Sequence, residues 1–127
     1  MYGFYRVSAA IPDCKVANID FNHRQIISLV KKSDQINSSL VVFPELSLTG
    51  YTCGDLFHQD QLIRDVKVFS QKILDKTKDL KTIFVYGAPV LYKDKLYNSG
   101  IVAQSGKILG IIPKIFIPNY REYYEKR

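Results

Sequence analysis

Four consecutive apolar residues, Leu40 to Phe43, run straight into a proline, and nothing else in the chain restricts its folding as strongly. An apolar run of this length bounded by a breaker reads as a buried strand. Pro44 stops it by fixing its own φ and offering no N–H to a ladder. Glu45 therefore stands at the C-terminal end of a strand, the rim where open α/β sheets hold their ligands. A carboxylate is costly to bury at such a rim unless something pairs with it. Leu48-Thr49-Gly50-Tyr51 follows as a turn, with Gly50 free to take a positive φ.

The rest of the chain alternates in the same manner. Tyr5 to Ala10 is a short strand closed by Ile11-Pro12. A helix starts near Asp20 or Asn22, both good N-caps. It carries Ile26, Ile27, Leu29 and Val30 on one face, with Lys31 and Lys32 toward its C-terminal half, where cations suit the dipole. Residues 61–79 form a second amphipathic helix, since Leu62, Val66, Phe69 and Ile73 recur at helical spacing. Thr82 to Val90 is a third buried strand, so the order β-α-β-α-β implies parallel neighbours joined by right-handed crossovers. Leu96 to Gln104 and Lys107 to Ile112 then form a hairpin about Ser105-Gly106, with another turn at 92–95. The second hairpin strand ends at Pro113, and Lys114 emerges directly after it. Two strand ends on one rim could thus bring Glu45 and Lys114 together. The apolar runs at 40–43, 83–86 and 108–112 suit strands covered on both faces.

With 127 residues, 46% of them hydrophobic, the chain has a one-domain length and material for a core. Its formal charge of +6 favours anionic partners, but the lysines are spread along the chain as solvated helix faces. They form no dense basic run interleaved with aromatics, so a nucleic-acid partner is not expected. There is no apolar stretch of membrane-spanning length and no signal-peptide layout at the N-terminus, so no membrane partner is expected either. Cys14 and Cys53 are too few for a metal site or a disulfide framework; both read as buried, inert thiols of a cytoplasmic protein.

Phe43-Pro44-Glu45-Leu46-Ser47-Leu48-Thr49-Gly50-Tyr51 resembles the first catalytic signature of the nitrilase, or carbon–nitrogen hydrolase, superfamily. Continued through Thr52-Cys53-Gly54-Asp55-Leu56-Phe57, the stretch is most similar to the glutaminase half of the glutamine-dependent NAD+ synthetase subfamily. A second block matches the same subfamily: Pro113-Lys114, then Pro118-Asn119-Tyr120-Arg121-Glu122-Tyr123-Tyr124-Glu125-Lys126-Arg127. The resemblance covers the whole chain. It implies an α/β fold, an α-β-β-α sandwich of the nitrilase type, with residues 1–127 as the N-terminal part of a glutaminase domain about twice as long and incomplete at its C-terminus.

In that superfamily a cysteine attacks an amide or nitrile carbon, a glutamate takes the thiol proton, and a lysine steadies the oxyanion. The residue types suit the task, because a thiol is only partly ionised near neutrality and the developing negative oxygen needs a fixed donor. The resemblance makes Glu45 the base, Lys114 the oxyanion-stabilising cation and Tyr120 a contact to the substrate glutamine. Tyr123 and Glu125 could line the same pocket, while Tyr51 and Asp55 read as structural. Read alone, Glu45 would be a solvated loop acid and Lys114 a strand-end surface lysine. Cys53 departs from the pattern, since it lies inside the first block, where the family does not place its thiol; the matching cysteine would lie beyond Arg127. The 127 residues are therefore expected to be inactive by themselves, although the full-length protein would be an enzyme. The resemblance further implies ATP and Mg2+ for a synthetase domain, deamido-NAD+ as its substrate, no metal or cofactor within these residues, and a homo-oligomer. A stand-alone amidase and a non-catalytic binding fragment are the other readings.

Overall fold

The computed structural model describes residues 3–50 and 60–114, which form one five-stranded mixed sheet and two helices. In chain order these are β1 (Val7–Ala9), α1 (Ile19–Gln35), β2 (Leu40–Val42), α2 (Asp60–Lys76), β3 (Ile83–Tyr92), β4 (Lys95–Gln104) and β5 (Lys107–Pro113). The strands lie side by side in the order β1-β2-β3-β4-β5. β1, β2 and β3 are parallel, while β4 and β5 are antiparallel to their predecessors. The alternation and the hairpin expected from the sequence are thus both present.

Boundaries differ where local hydrogen bonding overrides propensity. Helix α1 begins earlier than expected because Asn18 is its N-cap, its side-chain oxygen accepting the Phe21 N–H at 3.1 Å. Asp20 falls inside the first turn, where its charge suits the dipole. The buried stripe of α1 runs Ile19, Asn22, His23, Ile26, Ile27, Val30 and Ser33, and that of α2 runs Leu62, Val66, Ser70, Ile73 and Leu74. Ser105 and Gly106 both take left-handed φ, 51° and 82°, as do Lys93 and Asp94, 49° and 64°. Positive φ at both central residues is the pattern of hairpin turns whose twist matches that of the strands.

Each right-handed crossover steps the same way across the sheet, so α1 and α2 land on one face. The core lies there: Val41, Phe84, Tyr86, Ala88, Ile101 and Ala103 pack against Ile26, Val30, Val66 and Ile73. Tyr86 reaches α2, where burial pushes its phenol up to about 12 despite the nearby Ser70 hydroxyl. The two hydroxyls lie close without a well-formed hydrogen bond, as both remain unsatisfied. The expectation that the apolar runs are covered on both faces does not hold among the described residues. Val42 and Ile112, on the face opposite the buried Val41 and Ile101, are exposed, because no second layer among the described residues covers that side, while Ile108 and Ile111 are exposed on the helix side of the outermost strand β5. The described part is one helix layer and one sheet of the expected sandwich.

Asp34, near the end of α1, ties that helix to the start of β3. One carboxylate oxygen accepts the N–H groups of Lys81 at 2.9 Å and Thr82 at 3.1 Å and the Thr82 hydroxyl at 3.2 Å. The Lys81 N–H, joined by the two Thr82 donors, holds this carboxyl below its ordinary range. Among the described residues, no helix is long and apolar enough to cross a membrane.

Two outcomes follow from this layout. The sheet face and the β5 edge that the described residues leave uncovered should make the 127-residue chain self-associate. Substituting Val42→Lys and Ile112→Lys should shift it toward monomer in analytical ultracentrifugation, and a monomeric parent chain would contradict this. In that doubly substituted background, Asp34→Asn should lower the urea midpoint at neutral pH. The folded carboxyl ionises at lower pH than the unfolded one, so its contribution is full above the unfolded pKa of about 4. It is lost as pH falls through the folded value, and urea titrations at falling pH should show the two proteins converging.

Candidate functional site

The site begins where β2 leaves the sheet. The Phe43 N–H donates to the Val85 carbonyl at 2.9 Å, and the chain then departs at Pro44. It returns to the sheet at Gly87, whose N–H donates to Ser47 Oγ at 3.0 Å and whose carbonyl accepts the Leu48 N–H at 3.0 Å. Between these points the backbone lies directly on Gly87. A Cβ added there would stand 2.2 Å from the Leu46 nitrogen and 3.0 Å from the Glu45 carbonyl carbon. Leu46 takes a left-handed φ of 52° and is buried. Its carbonyl accepts the N–H groups of Thr49 at 3.2 Å and Gly50 at 2.8 Å, closing a tight turn. Gly50 takes the positive φ expected of it, 92°.

Lys114 comes from the far edge of the sheet. Its N–H donates to the Asn98 carbonyl at 2.8 Å, extending the β4–β5 ladder one step beyond Pro113. Its Nζ donates to Glu45 Oε1 at 2.9 Å, a contact between residues 69 apart in sequence. The register explains how they meet. β2 and β5 are three strand spacings apart, about 14 Å, but the loop leans over Gly87 on β3 and removes one spacing. The remaining distance, about 10 Å, is one that a glutamate and the four methylenes of a lysine can cross together. The side chains are 36% and 27% exposed, and ion pairs this accessible contribute at most about 1 kcal/mol. The sheet and loop, rather than the attraction itself, must therefore hold the pair.

Asn22 braces the loop from behind. It is almost fully buried on the apolar face of α1; its Nδ2 donates to the Lys15 carbonyl at 2.8 Å and the Leu48 carbonyl at 2.9 Å, while its Oδ1 accepts the Lys15 N–H at 2.8 Å. Asn22 is thus not the helix cap its residue type suggests, and Ser47 and Gly87 have roles that their own sequence positions do not announce. A polar residue inside a helix's apolar stripe and a glycine inside a strand, which often marks close backbone approach, were the available signals. Ser47 offered none.

Cys14 corrects an expectation. It is exposed rather than buried, because the chain leaves the sheet at the end of the three-residue β1 and runs along the surface. Its thiol donates to the Ser47 carbonyl at 3.7 Å. Cys53, Tyr51, Asp55, Tyr120, Tyr123 and Glu125 lie outside the described residues. Among the described residues, no three His, Cys, Asp or Glu side chains gather as a metal site.

The sequence profile of the carbon–nitrogen hydrolases matches residues 7–126, nearly the whole chain. The chain belongs to the carbon–nitrogen hydrolase family. Within that family it is similar to the glutamine-dependent NAD+ synthetase of Mycobacterium bovis, at 32% identity over 126 residues. That alignment covers 99% of this chain but 19% of the relative, so the chain spans about a fifth of the length of the curated relatives it matches. The fold matches that of a glutamine-dependent NAD+ synthetase from Cytophaga hutchinsonii with a TM-score of 0.88 at 23% identity, over 95% of this chain and 20% of that one. An amidase of the nitrilase superfamily from Nesterenkonia shares the fold with a TM-score of 0.79 at 15% identity, over 91% of this chain and 45% of that one. Glu45 and Lys114, one from each of the two blocks that carry the carbon–nitrogen hydrolase resemblance, are brought into contact by the fold.

The bracing role of Asn22 gives a stability test. Asn22→Ala would leave the buried Leu48 carbonyl and the Lys15 N–H without this partner, while the Lys15 carbonyl keeps the Asn18 N–H, at a cost of about 1–3 kcal/mol. Urea denaturation measures this, and a loss below about 0.5 kcal/mol would mean that water replaces the amide.

Proposed function

We propose that these residues are part of the glutaminase site of a glutamine-dependent NAD+ synthetase, in which Glu45 is the general base and Lys114 the oxyanion-stabilising cation. The observation that carries this reading is the Glu45–Lys114 contact at 2.9 Å, formed by two residues that lie in two separate matching blocks. The similarity to NAD+ synthetases over 99% of the chain supports the choice of subfamily.

In the proposed chemistry, Glu45 takes the proton of a cysteine thiol and the sulfur attacks the glutamine amide carbon. The Lys114 ammonium faces the oxygen that becomes negative as the carbon turns tetrahedral. Collapse of that adduct expels ammonia, which leaves with the proton held by Glu45, and a thioester remains. Glu45 then takes a proton from water, whose oxygen attacks the thioester carbon, and glutamate and the thiol are released. One carboxylate thus serves both half-reactions.

The reading assigns the nucleophile to neither Cys14 nor Cys53, so the 127 residues by themselves would not turn over glutamine. Tyr120 would contact the glutamine. ATP, Mg2+ and deamido-NAD+ would be used at a separate synthetase site, where the released ammonia aminates deamido-NAD+. A cytoplasmic homo-oligomer completes the proposal.

In the full-length protein, Glu45→Gln and Lys114→Ala should each lower glutamine-driven NAD+ formation by at least about 100-fold. Ammonia-driven NAD+ formation should survive both changes, because the two sites are separate. Unchanged glutamine-driven synthesis in either variant would overturn that residue's role. Glutamine hydrolysis without any NAD+ formation would favour a stand-alone amidase.

A further inference from the structure

We propose that Ser47 and Gly87 act as positioning residues for Glu45, a pair that clips the loop onto β3 and so sets the direction of the carboxylate. This inference rests on the role given to Glu45 above and extends it to residues that make no contact with the reacting atoms.

The clip closes a gap in the sheet. In a parallel ladder, a residue whose N–H donates to one carbonyl uses its own carbonyl to accept the N–H two residues further along the neighbouring strand. Phe43 makes the first of these bonds, to Val85, so the regular continuation would pair the Gly87 N–H with the Phe43 carbonyl. The Gly87 N–H goes instead to the Ser47 hydroxyl, and the Gly87 carbonyl takes the Leu48 N–H. A side-chain oxygen thus takes a place that backbone would otherwise fill. The three residues Pro44, Glu45 and Leu46 form an excursion anchored at Phe43 on one side and at Ser47 and Leu48 on the other.

The excursion is also under tension. Left-handed backbone is unfavourable for an L-residue because its Cβ crowds the following carbonyl oxygen, and Leu46 holds that conformation with its side chain buried. Without the Ser47 bond, the turn would be free to relax and the Glu45 carboxylate would swing. Gly87 supplies the other half of the clip, because any side chain there would meet the backbone of Leu46 and Glu45 head-on. The other anchors, the Leu48 N–H on the Gly87 carbonyl and Asn22 on the Leu48 carbonyl, lie on the far side of Ser47 from Glu45, and Lys114 holds only the carboxylate end of the glutamate.

The strand beside β3 provides an internal control. Gly100 pairs with Gly87 across the β3–β4 ladder, yet a Cβ at Gly100 would meet only Val85 Cγ1, at 3.4 Å. A methyl group at Gly100 therefore tests general damage to the sheet, and one at Gly87 tests the clip.

The experiment uses the full-length protein and measures glutamine-driven and ammonia-driven NAD+ formation in four variants: Ser47→Ala, Gly87→Ala, Gly100→Ala and Glu45→Gln. Misplacing a catalytic group by about 1 Å can cost about 100-fold. Gly87→Ala should lower glutamine-driven kcat by about that factor, and Ser47→Ala by about 10-fold. KM for glutamine should change by less than about 2-fold, and the ammonia-driven rate should not change, which general unfolding would not produce. Gly100→Ala should keep the parent kcat. Should Gly87→Ala fail to fold, Ser47→Ala decides the matter alone. Parent-like kcat in Ser47→Ala, or an equal fall in Gly100→Ala, would overturn the clip. If Glu45→Gln abolishes glutamine-driven turnover while Ser47→Ala does not lower it, only this inference fails. If Glu45→Gln has no effect, the functional reading fails with it.

Discussion

One backbone lies on another at Gly87, and the arrangement of the site depends on that contact. The loop after β2 cannot cross β3 at this height if β3 carries a side chain there, since the Leu46 nitrogen occupies the place of the Cβ. Crossing β3 brings Glu45 within reach of the sheet's opposite edge. Lys114 arrives at that edge because the β4–β5 ladder continues one residue past Pro113. Neither charged residue is held mainly by the other. Their partly exposed ion pair is too weak to direct the packing, so the pair reports on the scaffold.

The scaffold itself is braced from one side. Helices α1 and α2 fall on the same face because both crossovers step in one direction, and the core forms there. Asn22 links that layer to the loop through the Leu48 carbonyl, while Asp34 links it to the start of β3. Both are polar residues on or near the buried stripe of α1, and each satisfies backbone groups that no strand reaches. The opposite face shows an apolar surface among the described residues. The site thus occupies the end of a sheet that is packed by helices on one side and, among the described residues, uncovered on the other.

Both residues of the contact lie within the region that matches the carbon–nitrogen hydrolase family. The relatives are about five times longer than this chain, so the described residues supply part of a larger machine in the proposed reading. In that reading, a carboxylate and an ammonium are set in place by a sheet, ready for a thiol that comes from elsewhere. An arrangement held by backbone contacts rather than by its own charges would keep its geometry while the thiol and substrate come and go.

Much of this was legible in the sequence, for local reasons. Apolar runs stopped by prolines marked the strands, helical spacing marked α2, and Ser105-Gly106 marked the hairpin, since each depends on residues close in the chain. Glu45 and Lys114 were recognisable as strand-end residues and as positions of a family pattern. The exposure of Cys14 and the sheet face left uncovered by the described residues were not, because they depend on where distant segments come to lie. Periodicity shows that a residue is apolar enough to bury, but whether anything covers it is decided by the handedness and direction of the crossovers. The 2.9 Å contact likewise required three strand spacings to be crossed, and only the packing of the loop on Gly87 made that possible. Sequence alone determined which elements form and which residues end them; tertiary structure decided which of those ends meet, because distance across a sheet is set by register and close approach rather than by position in the chain.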